Sequence, residues 1–184
     1  HNKMTIIKIT DPNIVKTKRL SANFMAKEFA CRHCGIVLID QNLVNQLEQF
    51  RSRAGNSPIQ ITSGYRCPYW NQHVGGASSS LHIYGKAVDF EMFNRLNAIE
   101  MFNLAVKIFN RVGLYQSNRF PNQAYMHVDL GNSGTYWLSW MKVVGKTAEG
   151  KPIMKRTYVY FKDSMNMYAM MKADKDRDWF NMVI

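Results

Sequence analysis

Apolar residues recur along this chain in two rhythms, one suited to helices and one to strands. The run "MTIIKI" at 4–9 reads as a strand stopped by Asp11-Pro12. Ser21 stands where it would cap a short helix carrying Phe24, Met25 and Phe29. Asp40 is placed to cap a longer helix, with Leu43, Val44, Leu47 and Phe50 on one stripe and Gly55 closing it. "PIQIT", 58–62, reads as a strand. Residues 97–113 give the clearest helical pattern. Asn97 and Glu100 form a capping box, Ile99, Phe102, Val106 and Phe109 supply the apolar face, and Gly113 terminates it.

Strict alternation marks the remaining strands. In "AVDF", 87–90, Ala87 and Asp89 share one face while Val88 and Phe90 take the core side. In "AYMHVDL", 124–130, Met126, Val128 and Leu130 point one way, and Tyr125, His127 and Asp129 point the other. "YWLSWMKVV" and "PIMKRTYVYF" predict two more strands around a Gly/Lys-rich turn at 145–151. The tail from 163 reads as a short helix or a docking segment. Strand runs with separate helices predict an α+β fold.

Composition narrows the class. The chain has 184 residues, 46% hydrophobic and 20% charged, enough to bury a core without cross-links. No apolar run reaches the roughly 20 residues that span a bilayer. No charged-then-apolar leader opens the sequence, so a secretory signal is expected to be absent or already removed. The net charge of +11, from 24 Lys and Arg against 13 Asp and Glu, suits polyanionic surroundings or simply a solvated basic surface. Helix-turn-helix and finger spacings are missing, so nucleic acid is not an expected partner.

The candidate chemistry begins at Asp89, an acid inside an apolar run that needs a partner. His82 precedes it, and His127 lies on a later strand. Two imidazoles and a carboxylate form a three-ligand set, a common arrangement for catalytic zinc with one position left open. The alternative is an Asp89 hydrogen-bonded in a turn, with both histidines satisfied elsewhere. Cys31 and Cys34 have C-x-x-C spacing, suited to a redox pair or half of a structural zinc site, with His33 or Cys67 as further ligand candidates. A small buried cluster, reduced or with one disulfide to "GYRCP", is the other reading; three thiols leave one over. His73 reads as a loop residue.

"SSLHIYGKAVDF" followed by "MHVDLG" resembles the zinc D-Ala-D-Ala carboxypeptidase family, which includes phage L-alanyl-D-glutamate endopeptidases. Ser80, His82, Gly85, Ala87, Asp89 and His127 match its signature position by position. "TSGYRCPYWN" and "NFMAKEFACRHCG" are similar to its upstream segments. The resemblance spans roughly 21–131, which implies a main domain there between an N-terminal strand segment at 1–20 and an extension at 132–184 that either completes the sheet or binds wall or a neighbouring subunit. The resemblance implies a hedgehog/DD-peptidase-like α+β fold, with a central antiparallel sheet, packed helices and a zinc cleft. It implies a Zn2+ cofactor held by His82, Asp89 and His127, and peptidoglycan peptides as substrate. Arg66 would bind a substrate carbonyl or the oxyanion, for which a permanently charged donor fork is suited.

Some members of that family carry a glutamate three residues before the distal histidine, where this chain has Ala124. Asp129 is then the remaining base, or else it orients a ligand imidazole. Ser80 and Asn71 bind substrate or brace loops; Tyr125 and Tyr84 line the cleft or pack on the sheet. The resemblance implies action at the anionic bacterial wall, by a phage lysin, a virion-borne module with phage protein partners, or an exported enzyme. A metal-binding but inactive domain, serving in assembly, is the alternative that Ala124 supports.

Overall fold

A computed structural model describes residues 6–92, 97–118, 120, 123–132 and 134–179. Its main feature is a six-stranded sheet. The strands are β3 (Ile59–Ser63), β4 (Ala87–Met92), β5 (Arg111–Gln116), β6 (Ala124–Asp129), β7 (Thr135–Lys146) and β8 (Pro152–Phe161). Their order across the sheet is β3-β4-β6-β5-β7-β8. A separate antiparallel pair joins β1 (Ile6–Ile9) to β2 (Val37–Asp40); Met4 and Thr5 of the first predicted strand lie outside the described residues. The fold is α+β, but its sheet is mixed: β5 and β7 run parallel, while the other neighbours are antiparallel.

One face of the sheet forms the core. Val88 and Phe90 of β4, Val112 and Leu114 of β5, and Met126 and Val128 of β6 are buried there. Helix α2 (Gln41–Arg53) packs its Leu43, Val44, Leu47 and Phe50 stripe into that core. The Phe50 ring lies 5.5 Å from Phe90 and 5.7 Å from Phe109 between centroids. As predicted, Asp40 caps α2, its Oδ1 accepting from Asn42 N at 2.9 Å. Helix α1 (Pro12–Thr17) lies near the N-terminus and α3 (Pro68–His73) follows the "GYRCP" segment.

Two predicted elements differ. The pattern at 97–113 is a helix only over Ala98–Ala105 (α4), opened by the expected Asn97/Glu100 box. The chain then turns, and Arg111–Gln116 becomes a strand at the sheet's interior, with Gly113 in mid-strand against the Trp137 indole. Pairing with β6 on one side and β7 on the other outweighs the helical pattern. Ser21 caps no helix; its hydroxyl donates to Glu48 Oε1 at 2.6 Å, and only a 3-10 turn forms, at Ala26–Phe29.

Strands β7 and β8 extend the same sheet, so residues 135–161 are continuous with it. The tail forms helix α5 (Ser164–Ala173), and beyond it Trp179 is fully buried, donating to Asp174 Oδ2 at 2.8 Å. Residues 180–184 of the predicted tail lie outside the described residues. Among the described residues, no helix is long and apolar enough to cross a membrane.

A 3-10 turn at Leu81–Tyr84 enters β4 through Gly85, whose φ is +66°. A Cβ at Gly85 would sit 2.5 Å from the Leu38 carbonyl oxygen. Gly85→Ala is therefore expected to cost about 1–2 kcal/mol for the left-handed backbone alone, and more for the collision. Urea unfolding measures it; an unchanged midpoint would contradict this reading.

Candidate metal centre

The sheet face opposite the core carries the polar residues. Register aligns one row across four strands: Asp89 of β4 faces His127 of β6, which faces Gly113 of β5, which faces Trp137 of β7. Glycine in that row leaves room for the indole, whose ring centroid lies 5.2 Å from that of His127. His82 arrives from the 3-10 turn, buried at 2% exposure.

The three predicted ligands converge. One donor atom from each of His82, Asp89 and His127 lies within 4.8 Å of the others, close enough to hold a metal ion. Asp89 Oδ1 faces both rings, at 3.3 Å from His82 Nε2 and 2.7 Å from His127 Nδ1. Its other oxygen, Oδ2, accepts from Arg66 Nη2 at 2.6 Å. Arg66 Nε donates to Ser63 Oγ at 2.8 Å, and Nη1 has no hydrogen bond among the described residues.

The outer partners decide which nitrogens are available. His82 Nδ1 lies 2.7 Å from the Gly64 carbonyl oxygen. A carbonyl only accepts, so Nδ1 carries a proton and Nε2 is the nitrogen turned toward Asp89 and left to hold a metal. His127 Nε2 lies 3.0 Å from Asp129 Oδ2. Asp129 is buried, and its Oδ1 accepts from Gly131 N at 2.7 Å. Arg111 Nε approaches the same oxygen at 3.4 Å without hydrogen-bond geometry. Both Asp129 oxygens are thus engaged, and they lie on the ring edge away from Asp89. Arg111, Trp137, Ser63 and Gly64 were not singled out in the sequence; only strand register and the loop path bring them here.

The remaining candidates are more dispersed. Asn71 is buried and donates Nδ2 to Ala77 O at 2.9 Å, bracing the loop after α3. Ser80 precedes the His82 turn and makes no side-chain cap bond. Tyr125 stacks on Tyr115 at 4.8 Å, on the same face as His127. Burial, with the Asp89 charge, pushes its hydroxyl up to about 12, so it remains a donor at neutral pH. Tyr84 is 54% exposed.

Electrostatics fit an anion among cations. Burial alone would raise the Asp89 carboxyl, but the charges and hydrogen bonds of His82 and His127 hold it well below the usual carboxylate range. Burial opposes charge on His127, yet the hydrogen bonds to Asp129 and Asp89 raise it to about 9. A raised imidazole stabilises the fold fully below its unfolded value of 6.5, and that contribution is lost as pH rises through about 9. The lowered Asp89 acts oppositely, losing its contribution only in acid. Metal-free protein is therefore expected to show a falling melting temperature from pH 6.5 to above 9. Zinc-loaded protein should lack that fall, because a metal replaces the Nδ1 proton. A flat profile in the chelated protein would count against the His127 pairing.

The donor set is two nitrogens and one carboxylate oxygen, which fits zinc with an open position. The sequence model of the Peptidase M15 family matches residues 18–129, and the chain belongs to that family of zinc-dependent peptidases. It is also 43% identical over 44 residues to the zinc D-Ala-D-Ala carboxypeptidase of Streptomyces albus G, a stretch covering 24% of this chain and 17% of that protein. The cofactor is Zn2+.

Proposed function

We propose that this chain hydrolyses peptide bonds of bacterial peptidoglycan, with His82, Asp89 and His127 holding the zinc. The carrying observation is the convergence of these three side chains within 4.8 Å, from a turn and two strands, in a member of this peptidase family. Zinc bound there supplies Lewis acidity that polarises a scissile carbonyl and acidifies water.

The protein's own groups prepare that chemistry. Gly64 fixes the His82 tautomer, and Arg66 anchors one Asp89 oxygen so that the other faces the rings. Asp129 holds the proton at His127 Nε2, leaving Nδ1 as the ligand nitrogen. Its engaged oxygens favour this positioning role over that of general base. Arg66 Nη1, without a hydrogen bond among the described residues, is available to an oxyanion or carbonyl, and Tyr125 and Ser80 border the site as substrate donors. Asn71 shapes the loop beside them. The substrate cleft lies over this polar face, and the charge of +11 favours approach to an anionic wall. Release by a phage, carriage on a virion with phage partners, and export are the routes to that wall.

Asp129→Asn separates the two roles of this residue. As an orienting group its loss weakens zinc affinity about 10–100-fold, read by competition with a chelator. Unchanged affinity with a reduced kcat would make Asp129 the base instead.

Digestion of purified peptidoglycan, with mass spectrometry of the muropeptides, tests the function. New amine termini absent with His82→Ala are expected, and the fragments identify the bond: D-Ala-D-Ala, L-Ala-D-Glu or a cross-bridge. A second reading, a zinc-binding domain without catalysis, draws on the buried Ala124 and the engaged Asp129. Folded, zinc-loaded protein that releases nothing from several wall chemotypes would establish it.

A further inference from the structure

The three cysteines lie outside the His82–Asp89–His127 site, and the fold brings them together. Their sulfurs all lie within 4.8 Å of one another, and all three are free thiols. Cys31 and Cys34 come from one tight turn, pinned by Gly35 N to Cys31 O and Cys31 N to Ile36 O, both 2.9 Å. Cys67 comes from the segment before α3, 36 residues from Cys31. His33 stands at the Cys67 edge of this group, its Nδ1 3.4 Å from Cys67 Sγ. Ligand atoms around a tetrahedral zinc stand roughly 3.5–3.8 Å apart, from its ordinary Zn–S and Zn–N lengths. Backbone donors also reach the sulfurs: Cys67 N to Cys31 Sγ at 3.4 Å, and Trp70 N to Cys67 Sγ at 3.5 Å. Backbone N–H groups of this kind also orient the sulfurs that ligate a metal.

We infer that Cys31, Cys34, Cys67 and His33 form a second, structural zinc site. Each thiol gives its proton to solvent as its sulfur takes the metal, and His33 binds through neutral Nδ1. Four protein ligands leave no open position, so the site holds structure and performs no chemistry.

What it holds is the strap Gly64–Cys67. Gly64 passes so close to the 3-10 turn that a Cβ there would lie 2.5 Å from Phe29 Cα, and Tyr65 N donates to Phe29 O at 2.9 Å. The same strap supplies the Gly64 carbonyl to His82 and the Arg66 guanidinium to Asp89. The sulfur site thus ties the Cys31–Cys34 turn to the groups that orient the other metal centre. It stands on its own ligands, independent of any peptidase activity.

The test uses the full chain, purified under reducing conditions without chelators. Elemental analysis should give about two zinc ions per chain, as closed and open sites of this kind each take one. Cys34→Ser and Cys67→Ser should each bring the content to one, and His82→Ala should remove the other. Cobalt exchange adds an independent readout. A sulfur-to-cobalt charge-transfer band should survive His82→Ala and disappear in Cys34→Ser. Cys34 is exposed, so that variant is expected to fold even if changes at buried Cys31 do not. A single zinc that vanishes with His82→Ala, a content unchanged by Cys34→Ser, or a Cys31–Cys67 disulfide in the purified protein would each overturn the site. Two bound zinc ions without wall hydrolysis would overturn the peptidase reading and leave this one standing.

Discussion

His127→Ala is expected to reduce peptide hydrolysis to the level seen without protein. The variant removes one nitrogen from the ligand set and leaves the Asp129 carboxylate buried without its imidazole partner. Loss of the metal forfeits several kcal/mol of transition-state stabilisation, or about 10³-fold or more in kcat/KM. His82→Ala should match it, because Nε2 of that ring faces the same Asp89 oxygen. The pair controls for misfolding: His82 lies on a short turn and His127 inside the sheet, so a shared loss with retained circular dichroism points to the metal. Full activity in either variant would remove the zinc mechanism.

Arg66→Ala has the next largest expected effect. The guanidinium anchors Asp89 Oδ2 at 2.6 Å and keeps Nη1 free of partners among the described residues. If Nη1 serves the oxyanion, its removal lowers kcat about 10²–10³-fold while KM changes less. Arg66→Lys should recover only part, since a lysine restores charge but not a fork that spans Ser63, Asp89 and substrate. Metal content separates the two duties. Retained zinc with a lowered kcat assigns Arg66 to the transition state, whereas zinc lost in step with activity reduces it to an anchor for Asp89.

Much of this was legible from residue pattern. Asp40, Asn97 and Glu100 announce their caps because capping is local, and the α2 stripe is unambiguous at its length. The alternation in 124–130 correctly put Tyr125, His127 and Asp129 on one face. Residues 106–116 were not legible. Val106 and Phe109 continue the helical period, and only the neighbours β6 and β7 convert Arg111–Gln116 into a strand. The parallel pairing of β5 with β7 has no local mark either, since it depends on the chain passing from β6 to the far side of β5. The candidate ligands could be named from the motif, but their partners could not. Gly64 and Arg111 reach the site only through the loop path and the sheet register. The cysteines show the same division: the C-x-x-C spacing, with His33 or Cys67 as further candidates, left their arrangement open, and the fold brings the three sulfurs together with His33 beside Cys67.

A crystal of the protein grown with zinc and measured at the zinc absorption edge tests the metal centre most directly. An anomalous peak about 2.0–2.2 Å from a nitrogen of His82, a nitrogen of His127 and an Asp89 oxygen is the predicted result. Density without a peak there, with Asp89 still hydrogen-bonded to His127 under saturating zinc, would contradict it.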